Sequence, residues 1–213
     1  DGYAGIGVWR AAFKPLVDRI ADTDIRLQWF CCDRSTGVTD ASGKRVTLIR
    51  DTKYPVSVEY QTVKFIGTGR DNIKAGVFSG WELGDYIYLR SEEAYMIKME
   101  ALAHKGSADA ITELNSFMKT RQPDYNYTFT NKADLIEEII YQKRVEFWGE
   151  GLEYIDNRRL NIPVDRTDET WGAENNNHFS AGKFRYNQEE RPFLYQLPLS
   201  EIENNSQLSP SDQ

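Results

Sequence analysis

The sequence predicts a mainly α fold with a small β-ribbon, in which helical hairpins pack with irregular loops. Three observations carry that expectation. Apolar residues recur at helical spacing from Ser91 onward, the first 90 residues are rich in glycine and β-formers, and a polar stretch over 161–191 carries few apolar anchors. With 213 residues, 40% of them hydrophobic, the chain can bury a large core without disulfides or metal.

Along residues 1–90, Val8 to Ile20 can hold a helix interrupted by Pro15. Thr36-Gly37 and Ser42-Gly43 mark turns, and Arg45–Ile49 alternates as a strand does. Val56–Tyr60 and Thr62–Ile66 read the same way, with Pro55 at a tolerated strand edge. The helical region follows over 91–160. Ser91 is placed to cap a first helix, with Glu92 and Glu93 at its positive end and Tyr95, Met99 and Leu102 on one face. Lys105-Gly106 ends it, and Ser107 opens a second helix through Ile111, Leu114, Phe117 and Met118 that stops before Pro123. That pair forms a helical hairpin like one unit of a helical-repeat protein. A third helix is expected from Thr130 or Asn131 to about Trp148, its stripe formed by Ile136, Ile140 and Phe147 and widened by Leu135 and Ile139. Trp148 continues that stripe as a core residue, and a shorter helix through Tyr154 and Ile155 follows Gly149-Glu150-Gly151. The region 161–213 begins with a long surface loop over 161–191. A strand-like run, Phe193–Pro198, and a brief turn at Ser200–Ile202 close the chain.

Composition removes whole classes of function. A net charge of −7 opposes the phosphate neutralisation on which non-specific nucleic-acid binding depends. No stretch approaches the ~18–20 apolar residues needed to cross a bilayer. The opening Asp1-Gly2-Tyr3-Ala4-Gly5 lacks the basic start and apolar run of a signal peptide, so the chain reads as a fragment or processed product. Cys31 and Cys32 are adjacent, a poor geometry for a bridge, and are expected reduced and partly buried.

Catalytic patterns are mostly missing. The sequence contains no G-x-S-x-G, no GxxxxGK[ST] and no H-E-x-x-H, and Asn72 stands where Gly67-Thr68-Gly69 would need its third glycine. His104 and His178 are too isolated to form a metal site, and no cofactor is expected. Glu146 and Glu150 share a helical face and could serve as a glycosidase pair, but Lys143 and Arg144 lie within a turn and favour ion pairing. What remains for recognition is a set of loop aromatics, Trp81, Tyr86, Tyr125, Tyr127 and Trp171. Such rings offer large apolar area with a polar handle for stacking against a ligand.

Three ordered motifs, Tyr88–Leu102, Gln142–Arg159 and Leu197–Asn205, resemble those of the SusD/RagB family. Tyr88–Leu102 is similar to its "R-x-A-E-x-Y-L-I-x-A-E-A" helix, with a glycine break and Leu114-Asn115 and Arg121 matching a following "L-N-x-x-R" loosely. Gln142–Arg159 resembles the signature "E/Q-R/K-R-x-E-L-x-x-E-G-x-R-x-x-D-x-x-R", with Glu153 in place of the usual arginine. Leu197–Asn205 is similar to the closing "I-P-x-x-E-I-x-x-N", and Asp22–Arg26 to a weaker upstream "D-x-R".

The resemblance implies a SusD-like fold, with this chain as the C-terminal portion of a longer protein. The N-terminal helical repeats and lipid-bearing cysteine would lie outside it. It implies a surface-exposed outer-membrane lipoprotein that binds glycans, or in some branches peptides, without catalysis and passes them to a SusC-like TonB-dependent transporter. The competing expectation is a scaffold that docks the transporter while ligand binds elsewhere. Within the signature, Arg144, Glu146, Glu150, Gly151, Asp156 and Arg159 are expected to be architectural, their charges pairing with each other or with loop backbone. No ligand residue carries over by motif. Local composition alone points to Trp81, Tyr86 and Trp171 as stacking rings, with Asn176 and Arg185 as hydroxyl partners.

Overall fold

The computed structural model describes residues 11–32, 34, 59–62, 64, 88–190, 197–205 and 207. The chain forms two compact units, residues 1–148 and 149–213. That boundary falls inside the stretch read as one helical region.

In the first unit, Pro15 begins a helix instead of interrupting one. Helix α1 (Lys14–Asp18) carries it in the first turn, where the missing N–H has no intrahelical partner to lose. A 3-10 helix (Ile25–Trp29) follows, capped by the Asp24 carboxylate, which accepts from the Arg26 N–H. Strand β1 (Phe30–Cys31) pairs antiparallel with β2 (Gln61–Thr62), Phe30 opposite Thr62. Tyr60 turns into β2 at φ 64. Of the expected strands 45–49, 56–60 and 62–66, residues 45–49, 56–58, 63, 65 and 66 lie outside the described residues.

Helix α2 (Ser91–His104) begins one residue earlier than a Ser91 cap would allow, with Arg90 at the N-cap. Its end is a Schellman turn. Gly106, at φ 71, donates to Ala103 O (2.9 Å), and Ser107 donates to Leu102 O (3.0 Å). The chain reverses there into α3 (Asp109–Met118), whose first N–H is taken by Ser107 Oγ at 3.2 Å. Helix α4 (Lys132–Glu146) starts at Asn131, whose side chain accepts from Asp134 N at 3.1 Å. Both α3 and α4 pack on α2, and Met96, Met99, Ala103, Ala110, Leu114 and Met118 are fully buried. Tyr95, expected on the buried face of α2, is half exposed against Phe117. A second cluster joins Ala12, Val17, Ile20, Leu27, Phe30, Cys32 and Tyr60 to Tyr141 and Val145 of α4. Trp148 packs against this cluster edge-on to Phe30, with ring centroids 5.7 Å apart, and is only partly buried. Cys32 is buried.

Helix α4 departs from its expected amphipathic reading. Leu135, Ile139, Ile140 and Val145 are buried as apolar residues should be, but so are Glu138, Gln142 and Glu146, which at i, i+4, i+8 lie on the same face as Leu135, Ile139 and Val145. Arginines from three other segments make that burial possible. Arg26 Nη1 reaches Glu146 Oε2 (3.4 Å), Arg90 Nη1 donates to Oε1 (2.9 Å), and Arg121 donates to both oxygens (3.2 and 3.1 Å). Asp24 and Glu92 complete the network, so three guanidinium groups face three carboxylates. These partners replace the local pairing expected for Glu146, because its side chain points away from the signature block into the core.

In the second unit, Gly149 and Gly151 adopt φ 77 and 88, conformations that favour glycine, and Gly151 is the N-cap of α5 (Leu152–Arg159). Asp156 pairs with Arg159 at 2.7 Å within that helix. Arg144, in the first unit, and Glu150, in the second, are both half-buried. Helix α5 closes on a left-handed Asn161, with Ile162 N donating to Asn157 O (2.9 Å). Arg158 donates to the Gln188 carbonyl. The segment read as one long loop holds regular structure: β3 (Val164–Asp165) pairs antiparallel with β4 (Arg185–Tyr186), around α6 (Asp168–Trp171) and a 3-10 turn (Ser180–Gly182). Side-chain hydrogen bonds order it where apolar anchors are few. The expected turn at Ser200–Ile202 lies within helix α7 (Leu199–Asn204), while 193–196 lie outside the described residues.

Candidate ligand-binding site

Residues of the loosely matched α3 motif position the first candidate wall. Asn115 clamps the irregular segment after α3 through both ends of its amide: Oδ1 accepts from Tyr127 N (2.7 Å) and Nδ2 donates to Tyr127 O (3.1 Å). This holds the Tyr125 and Tyr127 rings stacked, 6.5 Å apart and 19° from parallel. The segment borders a cavity of about 400 Å3, whose walls include Arg19, Asp24, Gln122, Asp124, Glu138 and Tyr141. Glu138 organises the deep wall. It accepts from Arg19 (2.6 Å), Tyr125 Oη (2.8 Å) and Gln142 (2.6 Å). Burial pushes the Tyr125 phenol up, and the neighbouring Glu138 charge adds to the shift, so the hydroxyl stays a donor. Tyr125 and Tyr127 were legible as loop aromatics, but the cavity they border depends on the Arg19–Asp24 segment after α1 and on α4, which sequence spacing does not bring together.

In the second unit, three residues singled out from composition gather around two aspartates. Trp171 Nε1 donates to Asp165 O (2.9 Å) with its ring 37% exposed, and Arg185 reaches Asp165 Oδ2 at 3.4 Å. Asn176 is buried. Its Nδ2 donates to Arg166 O (2.9 Å) and Asp168 Oδ1 (2.8 Å), and its Oδ1 accepts from His178 N (3.2 Å). Both ends of that amide hold the turn. Desolvation works against ionising Asp165, but hydrogen bonds from Thr170 and Thr167 and the Arg185 charge hold its carboxyl below the usual range. Phe179 is 75% exposed. Trp81 and Tyr86 lie outside the described residues.

The sequence model of the SusD family matches residues 20–211. The chain belongs to the SusD family. Its fold is similar to that of a SusD-like carbohydrate binding protein from Bacteroides vulgatus ATCC 8482, with a TM-score of 0.59 and 22% identity. The match covers 92% of this chain and 40% of that protein, so this SusD-family chain spans well under half of its structural relative. At that identity the likeness is one of fold. No curated protein matches. Among the described residues, no helix is long and apolar enough to cross a membrane, and no group of three or more His, Cys, Asp and Glu could hold a metal ion. The family motifs explain the interior: the arginines of "D-x-R", of the α2 motif and of the α3 motif all converge on Glu146 of the signature block.

Proposed function

We propose that this SusD-family chain is part of a non-catalytic glycan-binding protein at the outer-membrane surface, which delivers oligosaccharide or polysaccharide to a SusC-like TonB-dependent transporter. A lipid anchor outside these residues would hold it there. The observation that carries this reading is the family match over residues 20–211, and the carbohydrate-binding description of its structural relative supports the ligand class. The state of Glu146 supports a non-catalytic role. Burial alone would raise its pKa, but hydrogen bonds from Arg121 and the charges of Arg26 and Arg121 keep it below the ordinary value. A carboxylate locked in its ionised form beneath three arginines cannot serve as the protonated acid of a glycosidase pair.

The exposed Trp171 ring, with Arg185 beside the same aspartate, is the proposed stacking and hydroxyl-binding surface, and Asn176 positions it. Trp81 and Tyr86 join them on composition. Affinity electrophoresis against a polysaccharide panel tests the reading. At least one glycan should retard the protein, and Trp171→Ala should weaken that binding by about tenfold, the loss of one stacked ring, with an unchanged melting curve. Retardation by no glycan would overturn the reading, and release of reducing sugar by the pure protein would overturn its non-catalytic part.

A further inference from the structure

The cavity in the first unit lies apart in sequence from the residues of that surface, and its chemistry restricts what can enter. The tyrosine hydroxyls are engaged within the protein: Tyr125 on Glu138, Tyr127 on Asp134 O (3.0 Å) and Tyr141 on Leu16 O (3.4 Å). The charges of Arg19 and Asp24 are each matched. Arg19 lies 3.9 Å over the Tyr141 ring while bonding Glu138, and Asp24 is held by Arg26 at 2.7 Å. Closer to solvent stand the amides of Gln122 and Asn126 and the carboxylate of Asp124, with Asn126 and Asp124 exposed. The Thr23 hydroxyl donates to Asp124 at 2.6 Å and lowers its pKa, so it carries a full negative charge near neutrality.

A ligand here meets amide donors and acceptors, a guanidinium edge and one unmatched negative charge. An apolar ligand would leave those groups without partners at a cost, and an anion would confront Asp124 while the cation among the described wall residues, Arg19, is already bonded to Glu138. A polyhydroxylated neutral ligand satisfies both constraints, since each hydroxyl donates and accepts. The volume lies within the range of small-molecule sites and suits a mono- or disaccharide. We propose that this cavity is a saccharide subsite that takes an uncharged sugar and rejects its uronic-acid counterpart. This rests on the glycan-binding reading above and adds to it a second site with a defined ligand class.

Titration calorimetry with gluco-, galacto- and manno-configured disaccharides, each neutral and as the uronate, tests it at low salt. At least one neutral sugar should bind, and its uronate should bind at least about tenfold more weakly. Asn126→Trp, at an exposed wall position, should reduce neutral-sugar affinity by a similar factor by filling the mouth, with an unchanged melting curve. Asp124→Asn keeps the acceptor for Thr23 and should narrow the ratio of neutral to uronate affinity. Equal affinity for both sugar classes, or a folded Asn126→Trp variant that binds as the parent does, overturns the subsite. If polysaccharide still retards the protein in that case, the glycan-binding reading stands without it. A protein that binds no glycan in either assay overturns both.

Discussion

Replacing Glu146 by alanine should destabilise the first unit by about 3–5 kcal/mol, the range for removing one partner of a buried ion pair, and lower its melting temperature by on the order of 10 °C. Glu146 is fully buried, and three arginines direct donors at its two oxygens. Its backbone carbonyl also accepts from Arg90 (2.8 Å) and Lys64 (2.7 Å). Alanine removes the carboxylate and leaves a fully buried Arg26 facing Arg90 and Arg121 across the space it occupied. Urea denaturation would measure the loss, and a cost below about 1 kcal/mol would show that the cluster is not under electrostatic load. The same carboxylate gives the protein an acid limb. Its folded pKa lies below the ordinary value of 4.5, so its contribution is complete above that value and is lost as pH falls through the folded one. The stability advantage of the parent over Glu146→Gln should therefore be constant near neutrality and shrink as pH drops below 4.5.

The helices were legible because each signal is local. Asn131 announces α4 by its side-chain bond to Asp134, and Gly106 ends α2 because the Schellman turn needs a left-handed residue. The polar interior was not legible from spacing. Glu138, Gln142 and Glu146 interleave with Leu135, Ile139 and Val145, and their partners Arg19, Arg26, Arg90 and Arg121 arrive from distant segments. The resemblance marked several of these residues but could not say that they meet. The segment 161–191 was underestimated for a related reason. Asp165 accepts from Thr167 N, Thr167 Oγ1 and Thr170 Oγ1, and this ordering leaves no trace in hydrophobic period. The candidate site divides the same way. Loop aromatics stand out in composition, but a cavity wall formed jointly by the Arg19–Asp24 segment, the Gln122–Tyr127 segment and α4 exists only in three dimensions.

Arg26→Met should cost nearly as much as losing Glu146, about 3–5 kcal/mol, and its partner Asp24 supplies the sharper test. Methionine keeps much of the volume of the arginine stem, so the loss reports charge more than cavity formation. Two carboxylates are affected unequally. Glu146 retains Arg90 and Arg121. Asp24, just 2% exposed, loses both the Nε and Nη2 donors and keeps only the backbone N–H of residue 26. A bared buried carboxylate is the dominant cost in that variant. Neutralising it with Asp24→Asn should recover part of the stability, because an asparagine oxygen can still accept from that N–H and cap the 3-10 helix. In the parent background Asp24→Asn should destabilise, since Arg26 would lose its shortest carboxylate contact. In the Arg26→Met background it should stabilise. A coupling energy of about 1–3 kcal/mol is expected from the full cycle. If instead Asp24→Asn has the same effect in both backgrounds, the two groups act independently, and the cost of Arg26→Met must come from packing.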